Sequence, residues 1–451
     1  MVRKQLQKLL VFCFALNALQ ASGQTTLDEY IRQALDSNAV LKQHAVNYEQ
    51  ALISLRTAKS NYLPSVNFSG TYTTAKGGRY AALPLGQLMN PVYSTLNQLT
   101  GSTAFPQIDD EQINFLPTNY YDAYIRTAVP VLNLDIRSNK QIREQQALIS
   151  ELELSIYARE LVKDVKVAYF NYQAGKEMIE VYKSNLALLK KNVDYNQALM
   201  REGKGLKASL LRSESEVMKM EATISSAEND LSNARAYFNF LLNRSLDAEI
   251  EIAEAGKAEA ALNSESSGRE ELKVLKQAMT VQQTVLTMNE RFWVPKVNAF
   301  LDLGSQGTDW EVSSKSAYYM VGISTSIPIY NGSRNKQQIR QTELNLEKAE
   351  LQLANTEQQL DLAVEMASRK VRTALQNWQS SQNQLETAQA YFELVSGSNR
   401  EGLTNQLEFL DASEQLTQAG IFVTIQYQQY LVALAELERA NASYPLQLNT
   451  K

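Results

Sequence analysis

Hydrophobic and polar positions along this chain change their spacing in a fixed order, and they do so twice. Before Pro130, the residues Ala123, Ile125, Thr127 and Val129 fall at alternate positions, the period of a strand. Aligning Pro130 with Pro328 places Val321, Ile323, Thr325 and Ile327 on the same four positions, 198 residues later. After each proline the period lengthens. Val165, Tyr172, Ile179, Leu186 and Val193 recur every seven residues, and so do Val364, Val371, Trp378, Leu385 and Phe392 at an offset of 199. A second series, Leu154, Leu161 and Ala168 with Leu353, Leu360, Ala367 and Ala374, runs four residues ahead of the first. Together they make a heptad seam, which belongs to long helices packed side by side as in coiled coils. Ser138 to Met200 and Ser333 to Val395 hold no proline. Each therefore predicts one helix on the order of 90 Å long, too long for a compact globular domain.

Both long helices stop at matched breaks, "REGKG" at 201 and "REGLT" at 400, where Gly203 and Gly402 suit a helix end. Further helices follow, from Lys207 to Leu242 and from Asn405 to Asn441, so each copy ends in an antiparallel hairpin with the glycines at its tip. Each copy also has an earlier strand, "LPSVNFSGTYT" at 63 and "VPKVNAFLDLG" at 294, with proline at its start where a missing N–H is tolerable. Four strands result, at about 63–75, 119–130, 295–306 and 316–329. Pro130 and Asn133, and Pro328, Asn331 and Gly332, mark the joints where strand turns into helix. The first copy carries a much longer segment between its strands, 76–119, rich in Gly, Pro, Asn and aromatics, which reads as an exposed loop. Ahead of the strands, a capping box at Thr26–Glu29 predicts a helical stretch running, with at most one break, to Ser60, matched by Arg269–Arg291. Repeat 1 is thus 24–247 and repeat 2 is 269–451. The Ala-, Glu- and Ser-rich stretch 248–268 between them reads as a mobile connector.

Composition narrows the chemistry. Arg3, Lys4 and Lys8 precede an apolar run from Leu9 to Leu16, and Ala21-Ser22-Gly23 supplies small residues for cleavage, so 1–23 is expected to be a signal peptide. The one cysteine, Cys13, lies inside it, and the one histidine is His44. A mature chain of that kind has no disulfide, thiol nucleophile, histidine-based triad or multi-histidine metal site. With no glycine-rich phosphate loop either, neither an enzyme nor a cofactor is expected. Without its three signal-peptide basics the chain carries 41 basic against 49 acidic residues, which disfavours nucleic acid. No later stretch holds the ~18 uninterrupted apolar residues of a membrane helix, so membrane crossing requires a barrel. Four strands cannot close one, because the smallest membrane barrels have about eight. Several chains must then share it, and Tyr72, Phe300, Tyr318 and Tyr319 suit its interfacial girdles. The competing reading is a periplasmic or surface structural coiled-coil protein without channel activity.

The doubled unit, the opening "TLDEYIRQALDSN", the entry "YLPSVNFSG", the exits "VPVLN" and "IPIYNG", the connector "LLNRSLDAEIEI" and the closing "ALAELERANASYPLQL" occur in the order seen in one family. The chain resembles the TolC-like outer-membrane efflux proteins over essentially its whole mature length. That resemblance implies a mainly α fold with membrane strands. Three chains would give four strands each to a twelve-stranded barrel, continued by an α-helical tunnel across the periplasm. It implies a passive exit duct of a tripartite efflux or type I secretion system, joined through a periplasmic adaptor to an inner-membrane pump and seated in outer-membrane lipid. By position, Arg201, Glu202, Gly203, Leu206, Arg400, Glu401, Gly402 and Leu403 would meet the adaptor. The resemblance also places Glu408 and Asp411 where some members narrow the entrance with an acidic ring. Three residues apart, the two carboxylates share a helix face, although Glu408 also suits an N-terminal cap behind Asn405. Arg212 stands where the first repeat lacks the acid, and pairing with Asp411 or Glu408 of a neighbouring hairpin would hold the entrance shut.

Overall fold

The computed structural model describes residues 22–116, 119–252, 269–308, 310, 312–401 and 403–446. All but the last two residues of the expected signal peptide, the connector from 253 to 268, and the tip residue Gly402 lie outside them. The chain divides into two compact units, and neither is one of the sequence repeats. Residues up to Ile53, Glu144–Gln282 and Leu344–Lys451 make a helical unit; Ser54–Arg143 and Gln283–Glu343 make a unit built on a sheet. Each unit draws on both repeats.

In the helical unit, α1 (Ser22–Ser37) and α2 (Ala39–Ser60) are separated by Asn38. The Asn38 side chain accepts from the N–H groups of Val40 and Leu41, both at 3.0 Å, capping α2 in the way a polar residue breaks one helix and starts the next. Because α1 starts at Ser22, Thr26–Glu29 lies within it and does not open it. The long helices are α4 (Leu134–Arg201) and α7 (Arg334–Arg400), followed by α5 (Lys207–Leu241) and α8 (Gln406–Asn441), with α6 (Glu270–Glu290) between the hairpins in sequence. The main core joins Ile31 and Leu41 to Leu161, Val165, Tyr169 and Phe238. Ile250 of the connector is buried in the same core.

At the start of α6, charged side chains are packed together and largely shielded. Arg159 donates to both oxygens of Glu270 at 3.0 and 2.9 Å, and Arg269 to both oxygens of Glu271 at 3.2 and 2.9 Å. Arg439, near the end of α8, donates to Glu271 and to Glu160, at 2.9 and 3.0 Å. Burial by itself would raise the Glu271 carboxyl. The hydrogen bonds from Arg269 and Arg439 outweigh it and bring the pKa down to about 2.

In the other unit, β1 (Ser65–Thr73), β4 (Tyr120–Leu132), β5 (Lys296–Thr308) and β6 (Ala317–Ser326) form an antiparallel sheet in the order β1-β4-β5-β6. The ladder does not stop at Pro130, as its chemistry suggests, but continues with Pro130 opposite Asn298 and Leu132 opposite Val297, bulging between them. A proline is tolerated there because β1 pairs with β4 only as far as Ala128, which leaves Pro130 a strand partner on one side alone. At the other joint β6 ends at Ser326, two residues before Pro328. Gly332 and Ser333, at φ +66° and +62°, turn the chain into α7. The segment 76–119 is not a plain loop. It folds as the hairpin strands β2 (Tyr80–Leu83) and β3 (Glu111–Asn114) around a 16-residue helix, α3 (Leu85–Thr100).

Candidate functional site

Register decides what each face of the sheet presents, since side chains alternate along every strand. Opposite Arg126 stand Asn67 on β1 and Asp302 on β5, and Asp302 is opposite Met320 on β6. That face therefore carries Asp122, Tyr124, Arg126, Asp302, Gln306 and Tyr318. Arg126 grips Asp302 with two hydrogen bonds, at 2.8 and 2.7 Å, and lies over the rings of Tyr124 and Phe300 at 5.2 and 5.0 Å. The Tyr318 hydroxyl donates to Asp122 at 2.9 Å.

The opposite face carries Val66, Phe68, Ile125, Leu301, Leu303, Tyr319, Val321 and Ile323, all exposed, with Val321 at 71%. At the Thr73 end of the sheet, Trp310 stacks between Tyr72 and Tyr121, both at 5.3 Å between ring centroids. Of the four aromatics expected to serve as girdle residues, Tyr72 and Tyr319 stand on the apolar face. Phe300 and Tyr318 stand on the charged one, because their register positions are odd relative to those of the first two. The outer edges of β1 and β6 have no partner strand among the described residues. No described helix is long and apolar enough to cross a membrane.

In the helical unit, the two hairpin turns are built differently. After α4, Gly203 takes φ +72°, and the N–H groups of Lys204 and Gly205 return to the Leu199 carbonyl at 2.9 and 3.0 Å, the closure of a glycine-capped helix end. After α7, the N–H of Leu403 returns to the Ser398 carbonyl at 2.9 Å. Asn405 then caps α8 by accepting from the N–H of Glu408 at 2.9 Å. Leu206 and Leu403 project from the turns at 72% and 75% exposure. Arg201, Glu202 and Glu401 are exposed beside them.

Behind the turns, α4, α5 and α8 meet through buried amides and hydroxyls. Asn192 accepts from Ser213 at 2.9 Å and from Gln406 at 2.6 Å, and Asn196 donates to Ser213 at 3.0 Å. Ser413 donates to Asn185 at 2.9 Å. The heptad count points to Leu186 and Val193 for the seam of α4, but these are half-buried while Asn185 and Asn192, one position earlier, are buried. Between Ile179 and Asn185 the buried positions step by six residues instead of seven, so the covered face of α4 changes there to the one met by Ser213, Gln406 and Ser413. The signal available in the sequence was the spacing of Asn185, Asn192 and Asn196 along that face.

Next to this polar layer, Arg212, Tyr182 and Leu189 share a cleft of about 200 Å³ with Leu410, Asp411 and Glu414. Arg212 and Asp411 are thus brought to one cleft within a single chain, without an ion pair between them among the described contacts. Asp411 accepts from Gln415 at 2.7 Å. Glu408 is exposed at the start of α8, beside the same cleft in sequence but not among the residues that line it. His44 stacks on Tyr157 at 4.8 Å. Among the described residues, no group of three His, Cys, Asp or Glu side chains is placed to hold a metal ion.

The family described as "Outer membrane efflux protein" matches residues 30–244 and 263–442. The outer membrane efflux protein BepC of Brucella suis biovar 1 is 20% identical over 455 residues, spanning 98% of this chain and 91% of the relative. Two solved structures share the fold. The Campylobacter jejuni CmeC outer membrane channel has a TM-score of 0.76 at 15% identity, over 92% of this chain and 85% of that one. The open state of the Neisseria gonorrhoeae MtrE outer membrane channel has a TM-score of 0.73 at 16% identity, over 92% and 88%.

Proposed function

The chain belongs to the outer membrane efflux protein family, and we propose that it is the outer-membrane exit duct of a tripartite efflux or secretion assembly. One observation carries this reading: a four-stranded sheet with an exposed apolar face, a charged opposite face and two edges that have no partner strand among the described residues. Such a sheet is unstable in water and incomplete in a membrane, where every backbone N–H and C=O needs a partner. Three copies pairing β6 of one with β1 of the next make a closed twelve-stranded barrel, with the apolar faces toward lipid and Asp122, Arg126 and Asp302 toward the lumen.

In this reading the hairpin turns form the periplasmic entrance. Arg201, Glu202, Gly203 and Leu206, with Arg400, Glu401, Gly402 and Leu403, receive the adaptor, and the two projecting leucines supply the apolar anchors. Glu408 and Asp411, repeated by the threefold axis, favour cations at the entrance, with Arg212 opposing them. Transport is passive in the duct itself, and the pump beyond the adaptor supplies the energy.

Purified protein reconstituted in planar bilayers tests the reading. Heat-modifiable trimers extracted from outer membranes, with stepwise single-channel currents, are expected. Soluble fibres without conductance would identify a coiled-coil scaffold instead.

A further inference from the structure

Helix α3 is built inside out. Asn90 and Asn97, seven residues apart on one side, each clamp the returning chain in both directions. The Asn90 amide donates to the Ile108 carbonyl and accepts from the Ile108 N–H, both at 2.9 Å. Asn97 does the same with Phe105, at 2.7 and 3.0 Å. Gly86 lies on that side too, where a Cβ would stand 2.5 Å from the Ile108 carbonyl oxygen. The polar side is therefore spent on the insert itself. Leu85, Leu88, Val92 and Leu99, at helical spacings of three, four and seven, form an apolar stripe facing outward. Leu88 is 65% and Leu99 78% exposed. A stripe of this kind in a stable protein marks a surface that something covers.

Two features identify what covers it. The 16 residues of α3 include no charged side chain, as in the centre of a protein interface. A helix lying on lipid instead carries lysines and arginines on its polar side, and here that side has none and is already occupied. The second feature is attachment. The insert leaves the sheet from Thr73 of β1, an edge strand whose open side is where the next copy pairs if the barrel closes. It is rooted at the seam between copies.

We infer that the apolar stripe of α3 packs against the α3 helices of the neighbouring copies, so that three inserts gather about the threefold axis at the outer end of the barrel and narrow the exit. This rests on the trimeric channel described above. Leu88→Cys tests it in a chain whose single native cysteine lies in the expected signal peptide. Outer membranes are treated with a short bismaleimide and run on denaturing gels. Two of every three chains are expected to shift to a covalent dimer, whereas Gln98→Cys, off the stripe on the same helix, stays monomeric. If trimers persist on unheated gels but the Leu88→Cys thiol stays monomeric and reacts freely with an external, membrane-impermeant maleimide, the stripe is uncovered and the inference fails while the channel stands. The same conclusion follows if a lipid-phase quencher reaches a fluorophore on that thiol, which assigns the stripe to the membrane. Loss of trimers in the unmodified protein overturns both.

Discussion

Asn192 on α4 and Gln406 on α8, 214 positions apart in sequence, are joined by a 2.6 Å hydrogen bond in the interior behind the hairpin turns. Asn192 accepts from Ser213 of α5 through the same oxygen, so three helices from two hairpins converge on one amide. Leucine in its place would bury better, and a buried asparagine in a helical seam fixes alignment at some expense of stability. Asn192→Ala removes the acceptor that Ser213 and Gln406 share, while Ser213 keeps the Ser209 carbonyl at 3.0 Å and Gln406 keeps Ser213 at 3.1 Å, so a loss of about 1 kcal/mol is expected. A lower melting temperature of the trimer by circular dichroism is expected, together with a larger conductance as the hairpins separate more easily. A rise in melting temperature would show that the amide contributes nothing.

The arginine and glutamate network at the start of α6 makes stability depend on acid. Glu271 has an ordinary carboxyl value of 4.5 when unfolded and about 2 when folded, so the unfolded chain binds its proton first. Its contribution is complete above about pH 4.5 and fades as the pH falls towards 2. Thermal melts from pH 7 to pH 3 are expected to show this loss, and Glu271→Gln to flatten part of the slope. At pH 7 that variant should be less stable by about 2 kcal/mol, because Arg269 and Arg439 keep their charges and lose the carboxylate.

Adjacent positions on β6 should behave in opposite ways. Val321→Arg places a charge on the apolar face, where the penalty near a bilayer midplane is about 2–4 kcal/mol. Met320→Arg, one residue away, faces Asp302 on the charged side. Trimer yield in the outer-membrane fraction should fall for the first and hold for the second. Equal yields would mean that the apolar face does not meet lipid.

Arg212 and Asp411 line one cleft, and an arginine opposing the acids is proposed to restrain the entrance. Arg212→Glu should raise single-channel conductance through repulsion, and unchanged conductance would remove the latch. Asp411→Asn should reduce cation preference, read as a reversal potential closer to zero in a salt gradient.

Much of this protein was determined by its sequence alone. The doubled order of strand and helix, the heptad seam of α7 and the helix break at Gly203 all rest on local periodicity and backbone chemistry, which act over a few residues and need no neighbour. Val371 and Ala374 are buried where the heptads of α7 place them. Tertiary structure decided what depended on a partner. The packing of α5 and α8 put Asn185 and Asn192 of α4 inside, and their burial is tolerable because Ser413, Ser213 and Gln406 arrive from distant segments to satisfy them. Strand register assigned Phe300 and Tyr318 to the charged face, a choice that composition leaves open because both rings suit a membrane girdle. Pro130 stayed in its ladder because β1 ends beside it. The helix within 76–119 turned its leucines outward because Asn90 and Asn97 found backbone partners in the returning chain, and no spacing of apolar residues records which side of a helix its own loop will cover.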